Sequence, residues 1–141
     1  IREKRKSKMN IENLEKWHFE LTEDACNSLL DLVLKGQKRA TSSSLAAFEF
    51  GDETMPKEGE LSVITDWDGN PRCVVRTKKL HILPYEEITY DLAKLEGEDE
   101  TLDSWKRSHE RFFTREGEML GYHFSPQMPV VFEEFEVVEV L

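Results

Sequence analysis

The stretch from Thr22 to Gly36 constrains the fold more than any other part of the chain, because both ends and the buried side of a helix can be read there. Thr22 stands where an N-cap hydroxyl is needed, and Glu23 and Asp24 follow in the first turn, where the helix dipole favours acids. Ala25, Cys26, Leu29, Leu30, Leu32, Val33 and Leu34 then form one broad apolar side, and Gly36 reads as the stop. Such a stripe must be covered by other elements. Downstream the pattern changes to short strand-like runs, Leu45 to Phe50, Leu61 to Asp66 and Arg72 to Leu83, separated by Gly, Pro and acidic turns. Asp68-Gly69-Asn70-Pro71 predicts a turn that joins the last two as a hairpin, with Cys73 and Val75 on one face and Val74 and Arg76 on the other.

Ile11, Leu14, Trp17 and Phe19 predict a short helix within residues 11–20, and residues 86–96 predict a second helix. Thr101 is a plausible cap for another helix, on which Trp105, His109, Phe112 and Phe113 share one face. Pro129 to Leu141 reads as a closing strand, broken near Glu133 and Glu134. Helices and strands do not alternate as a doubly wound parallel sheet requires. The expected class is therefore α+β: a small, mostly antiparallel barrel or curled sheet with peripheral helices, a single domain over residues 9–141.

Charge narrows the partners. The formal net charge is −10, although Arg2, Lys4, Arg5, Lys6 and Lys8 outnumber Glu3 in an N-terminal basic arm at residues 1–8. That arm is expected to be disordered, or a remnant foreign to a chain that starts at Met9. The acidic body disfavours broad gripping of a phosphate backbone, which needs many Lys and Arg contacts, so no DNA partner is expected. A small ligand or a locally basic pocket fits better. No apolar run is long enough for a bilayer and the charged start lacks an apolar secretion segment, so the expectation is a cytoplasmic protein with no membrane partner. Cys26 and Cys73 lie far apart, without neighbours at metal-ligand spacing, and are expected to be reduced and buried. His18, His81 and His123 form no ligand group either, so neither a metal nor another cofactor is implied. The oligomeric state is left open.

Chemistry concentrates after the first helix, in Gly36-Gln37-Lys38-Arg39-Ala40-Thr41-Ser42-Ser43-Ser44. A lysine three residues before a threonine can set an amine beside a hydroxyl; if burial lowers the lysine pKa, the neutral amine can activate the alcohol. A lysine there can equally do no more than offset the helix dipole. Ser42 and Ser43 are alternative hydroxyls, and in an extended chain only Ser43 shares the face of Thr41. Glu96, at the end of a predicted helix beside Gly97, can project a carboxyl into a pocket mouth as a proton donor, or belong to a solvated acidic loop with Glu98, Asp99, Glu100 and Asp103. Trp105 and His109 can stack on and hydrogen-bond a nucleobase, or pack in the core. Arg76 and Lys78 can bind a phosphate or carboxylate, or simply face water.

These segments together resemble the ASCH domain family from about Trp17 to Val138. The resemblance is carried by Leu29 to Thr41, Gly59-Glu60-Leu61-Ser62-Val63, Pro71 to Thr77, Ala93-Lys94-Leu95-Glu96-Gly97-Glu98, and Leu102 to His109 with Phe112-Phe113. It implies a PUA-like β-barrel with a cleft beside the Gly-x-Lys segment and a role in RNA or nucleotide biology. One bacterial branch of the family is an amidohydrolase of N4-acetylated cytidine that uses a Lys-x-x-Thr pair and a glutamate. Lys38, Thr41 and Glu96 match these, so the resemblance implies that Thr41 attacks the acetyl carbonyl, Lys38 activates it and Glu96 helps expel the amine. Arg39, Ser43, Arg76, Trp105 and His109 are the substrate-binding candidates. Many members carry an acid at the position of Thr41 and an arginine at that of Ser43, and the helix from Trp105 to Phe113 belongs to a longer branch. The expected partner is thus a small modified nucleoside or RNA: either an amidohydrolase or a non-catalytic binding module. Ribonuclease chemistry would need a pair of histidines that the chain does not offer.

Overall fold

The computed structural model describes residues 9–141, so the basic arm lies outside the described residues. Five strands, β1 (Glu15–Trp17), β2 (Ala40–Ser44), β3 (Leu61–Thr65), β4 (Pro71–Pro84) and β5 (Pro129–Val140), form one sheet in the order β1-β3-β4-β5-β2. β1 pairs parallel with β3 and every other pairing is antiparallel, which makes the sheet a half-barrel with helices around it. The helices are α1 (Glu23–Leu34), α2 (Leu45–Glu49), α3 (Tyr90–Ala93) and α4 (Leu102–Leu120). Among the described residues no helix is long and apolar enough to cross a membrane.

The two long helices form as their caps predict. The Thr22 and Thr101 hydroxyls accept the amides of Ala25 and Ser104, at 3.4 and 3.1 Å, satisfying donors that the helix cannot. α1 buries Cys26, Leu30 and Val33, while α4 buries Trp105, His109, Phe113 and Gly117 at four-residue steps. Buried apolar side chains fall into two clusters, one around Leu30, Ile64, Cys73 and Phe135, the other around Tyr85, Trp105, Phe113 and Val130. Neither is independent, because β4 and β5 run through both. Both cysteines are free and buried, and the β3–β4 hairpin turns where expected, its Asn70 amide donating to Asp66 Oδ1 at 2.9 Å.

Four local expectations are overturned. Within residues 11–20 the chain forms β1 rather than a helix, because Trp17 packs edge-on against Phe19 and Phe135 and donates its Nε1–H to Ser62 Oγ at 2.9 Å. Residues 45–49 are helix α2 rather than strand, since Ser44 caps them by accepting the Ala47 amide. Residues 86–96 break into two 3₁₀ turns flanking α3, interrupted by Ile88 in an extended conformation. β5 continues unbroken through Glu133 and Glu134, because each carboxylate finds a partner on β4: Thr77 Oγ1 at 2.6 Å and His81 Nε2 at 2.7 Å. The irregularity sits on β4 instead, where the register shifts between Thr77 and Lys79.

Candidate active site

Two chain reversals meet to build the site. After α1, Gly36 takes φ +78°, the left-handed region that favours glycine, and the amides of Gln37 and Lys38 both fold back onto the Leu32 carbonyl. Opposite them Gly97 has φ +72°, and a Cβ there would lie 2.3 Å from the Gln37 carbonyl oxygen. Glycine is what lets the backbones approach. Arg39 N donates to the Leu95 carbonyl at 2.8 Å and Gln37 Nε2 to the Gly97 carbonyl at 2.7 Å, so Lys38 is held against the two carboxylates that flank Gly97.

Lys38 is 1% exposed, and its Nζ donates to Glu96 Oε1 at 3.2 Å and Glu98 Oε2 at 2.6 Å, 5.3 Å from the Phe19 ring centroid. Burial alone would push the amine pKa down, but Glu96 and Glu98 outweigh it and hold the pKa above its ordinary value. The lysine is an ammonium. This corrects the expectation of a neutral amine acting as base.

Glu96, 2% exposed, receives a donor on every side: Lys38 Nζ and His109 Nε2 on Oε1, Ser42 Oγ and Trp105 Nε1 on Oε2, at 3.2, 3.3, 2.8 and 2.8 Å. Burial would raise its pKa, yet the Lys38 and His109 charges hold the carboxyl well below the usual range. It lines a pocket wall with both oxygens already occupied. His109 Nδ1 meets the Trp105 carbonyl at 2.8 Å while Nε2 meets the Glu96 carboxylate; both partners are acceptors, so both nitrogens carry hydrogen. Burial lowers and Glu96 raises the His109 pKa, with the net displacement upward. Two basic side chains thus meet two carboxylates in one cluster, of which Glu98 is the most exposed member; burial pushes its carboxyl pKa up, partly opposed by Lys38.

Lys38, Thr41 and Glu96 line one cavity of about 70 Å³. Thr41 also lines a second, of about 390 Å³, with Ser43, Trp17, Phe48 and Phe112. Thr41, Glu20 and Phe112 border both spaces, so the threonine stands where they meet. Among the described residues its hydroxyl has no hydrogen-bond partner. Strand alternation behaves as expected: Thr41 and Ser43 face the larger cavity, and Ser42 turns to Glu96.

The remaining predicted site residues disperse. Trp105 is fully buried, stacked on His109 (centroids 3.9 Å apart) and on Tyr85 (5.7 Å), so it has no open face for a base; its N–H serves Glu96. Arg76 is exposed on β4, bonded to the Gly59 carbonyl and 3.9 Å from Glu136, and borders neither cavity. Arg39 lies with Lys78 along a separate cavity of about 430 Å³ that Glu134 and Glu136 offset.

Sequence reasoning missed three carboxylates. Glu98 is the nearer partner of Lys38, yet nothing in an acidic run distinguishes it. Glu116, on α4, accepts from Ser44 Oγ and from Tyr122 Oη, the latter at 2.8 Å. Glu133 is 7% exposed and lines the larger cavity; burial raises its pKa, partly opposed by the Thr77 hydrogen bond. The signal was an acid in a strand otherwise buried on that side.

The family model described as the ASCH domain matches residues 15–139. The chain is similar to a crystal structure of an ASCH domain from Lactobacillus crispatus JV V101, with 35% identity, a TM-score of 0.80, and coverage of 89% of this chain and 80% of that one. It is similar to protein EF3133 from Enterococcus faecalis V583, with 35% identity, a TM-score of 0.82 and coverage of 89% and 77%. The crystal structure of hypothetical protein PH0355, with 17% identity and a TM-score of 0.55 over 87% and 99%, shares the fold. A comparison with curated proteins finds no match.

Proposed function

The chain belongs to the ASCH domain family, with its PUA-like fold, and on that premise we propose that it hydrolyses an N-acylated nucleoside or a related small amide, with Thr41 as nucleophile. The observation that carries this reading is the unpartnered Thr41 hydroxyl, set between a buried ammonium and a cavity of about 390 Å³, within the size range of small-molecule sites. Thr41 Oγ1 attacks the acyl carbon, and the Lys38 ammonium supplies the fixed positive charge toward which the oxyanion develops. Glu96, with its lone pairs occupied, is an anchor: it fixes the position and charge of Lys38 and transfers no proton.

The cavity favours a small, unphosphorylated substrate over RNA. Seven of its lining residues are acidic, against Lys16 and His18, so a phosphate entering it meets repulsion. Trp17, Phe48 and Phe112 supply apolar surface for a base. The RNA-binding alternative, by contrast, loses its grips, since Lys38 and Trp105 are buried and Arg76 stands apart.

Acetate release from N4-acetylcytidine and from its 5′-monophosphate tests the reading. Wild type is expected to prefer the nucleoside, and Thr41→Ala to lose at least about 10³-fold in kcat, as removal of a nucleophile does. Equal rates for wild type and Thr41→Ala would eliminate Thr41.

A further inference from the structure

Attack by a threonine needs somewhere for its proton to go, and most of the Lys38 cluster is already occupied. Lys38 already holds all its protons, Glu96 accepts two donors on each oxygen and both His109 nitrogens are engaged. Glu98 gives one oxygen to Lys38 and keeps the other free among the described residues, but no strand register sets it opposite Thr41. The opposite wall differs. β2 and β5 pair antiparallel with Thr41 directly across from Glu133. Side chains opposed in this way stand on the same face, with Cβ atoms about 4.5–5.5 Å apart. Both line the larger cavity. Glu133 Oε2 accepts from Thr77 Oγ1 at 2.6 Å, while Oε1 takes no hydrogen bond among the described residues and is not sealed within the protein. A carboxylate oriented by one oxygen and open at the other, beside a free hydroxyl, has the makings of a nucleophile, a base and an orienting group.

Resting on the hydrolase reading above, we propose that Glu133 is the catalytic proton acceptor for Thr41 and the donor to the departing amine. The Thr41 O–H proton passes to Glu133 as the Thr41 O–C bond forms and the carbonyl π pair moves onto oxygen. As that pair returns, the C–N bond breaks, and the nitrogen keeps the bonding electrons and takes the proton from Glu133. Water then attacks the acyl-threonine, giving one proton to Glu133. The ester C–O bond breaks, and that proton restores the Thr41 hydroxyl. The sum is amide plus water to acid plus amine.

The surroundings suit the role. The groups that share the cavity with Glu133 are mainly acids: Glu116 from α4, Glu53, Asp52 and Glu60 from the segment before β3, and Glu15 and Glu20 from β1 and the residues after it, against Lys16 and His18. Burial among them makes the carboxylate more basic than an exposed one, closer to the range where a base works at neutral pH.

The test is the pH dependence of acetate release from N4-acetylcytidine by wild type, Thr41→Ala, Glu133→Gln and Thr77→Val, with cytidine affinity and melting temperature measured alongside. Glu133→Gln is expected to lose roughly 10²–10⁴-fold in kcat, the usual worth of a general base, and to regain rate as hydroxide rises, while still binding cytidine. Thr77→Val removes a bond that holds the Glu133 pKa down, so the acid limb of its profile should move to higher pH. A Glu133→Gln enzyme with wild-type kcat and profile, beside an inactive Thr41→Ala, overturns the proposal and leaves the hydrolase reading standing. Wild type inactive on the amide overturns both. Should Glu133→Gln fail to fold, Thr77→Val decides: an unmoved acid limb rejects Glu133.

Discussion

Thr41 separates two walls built on opposite principles. On one side, Lys38, His109, Glu96 and Glu98 pair two cations with two carboxylates, and Glu96 is saturated. On the other, Glu133 and Glu116 share a cavity with further acids and little positive charge, and Glu133 keeps an open oxygen. A carboxylate with every lone pair occupied can hold the neighbouring charge in place, but it is poorly placed to exchange a proton. The under-compensated wall costs stability and retains reactivity. Electrostatic positioning and proton transfer are thus divided between neighbouring surfaces of one strand.

The sharpest way to break this contrast is to open the saturated wall. Lys38→Met leaves Glu96 buried without its ammonium, and breaking a buried ion pair in this way typically costs about 3–5 kcal/mol. Urea unfolding should show that loss. The double variant Lys38→Met with Glu96→Gln should recover part of it, because no buried charge is then stranded. A cost below about 1 kcal/mol for Lys38→Met, the size of an exposed pair, would mean the cluster is not the charge-holding wall described.

A smaller effect comes from pH. The folded pKa of Glu96 is depressed, so its contribution is fully present above the unfolded carboxylate value of about 4.3 and is lost as pH falls through the folded value. Lys38 is displaced upward: its contribution is complete below the unfolded value of about 10.4 and is lost only as pH rises through the folded one. His109, also raised, contributes below about 6.5 and loses that contribution as pH rises through its folded value. Between acid and neutral pH the wild type should therefore lose stability on the order of 2 kcal/mol more steeply than Glu96→Gln, read as urea midpoints against pH. Parallel curves would remove Glu96 as the acid-sensitive member.

Much of the frame was legible because its signals are local. Thr22, Thr101 and the turn at Asp68 to Asn70 each announce themselves within a few residues. The failure at β1 was tertiary, since Trp17 finds Ser62, 45 residues away, whereas α2 was missed although its Ser44 cap is as local as that of Thr22. The residues of the first wall were legible too, but their roles were inverted. Lys38 looked like a base until Glu98, 60 positions on, was placed 2.6 Å from it, and Glu96 looked like a proton donor until its four partners were visible. Glu133 was read as a break in a strand, because that it faces Thr41 is a fact of register between β2 and β5.

The smallest expected effect probes the second wall on its own terms. Glu133 is an acid whose pKa burial raises, so at neutral pH its ionised form lowers the stability of the folded state, and that penalty is relieved as pH falls through the folded value. Gln keeps an oxygen for the Thr77 hydroxyl and carries no charge. Glu133→Gln should therefore be more stable than wild type at neutral pH, and the advantage should shrink on acidification. The opposite sign would mean that the bond to Thr77 fastens β4 to β5 more than the buried charge strains them, and both walls would then be structural. With the expected sign, together with the loss of rate proposed above, the same carboxylate weakens the fold and supports the reaction, as a stability–activity trade-off requires.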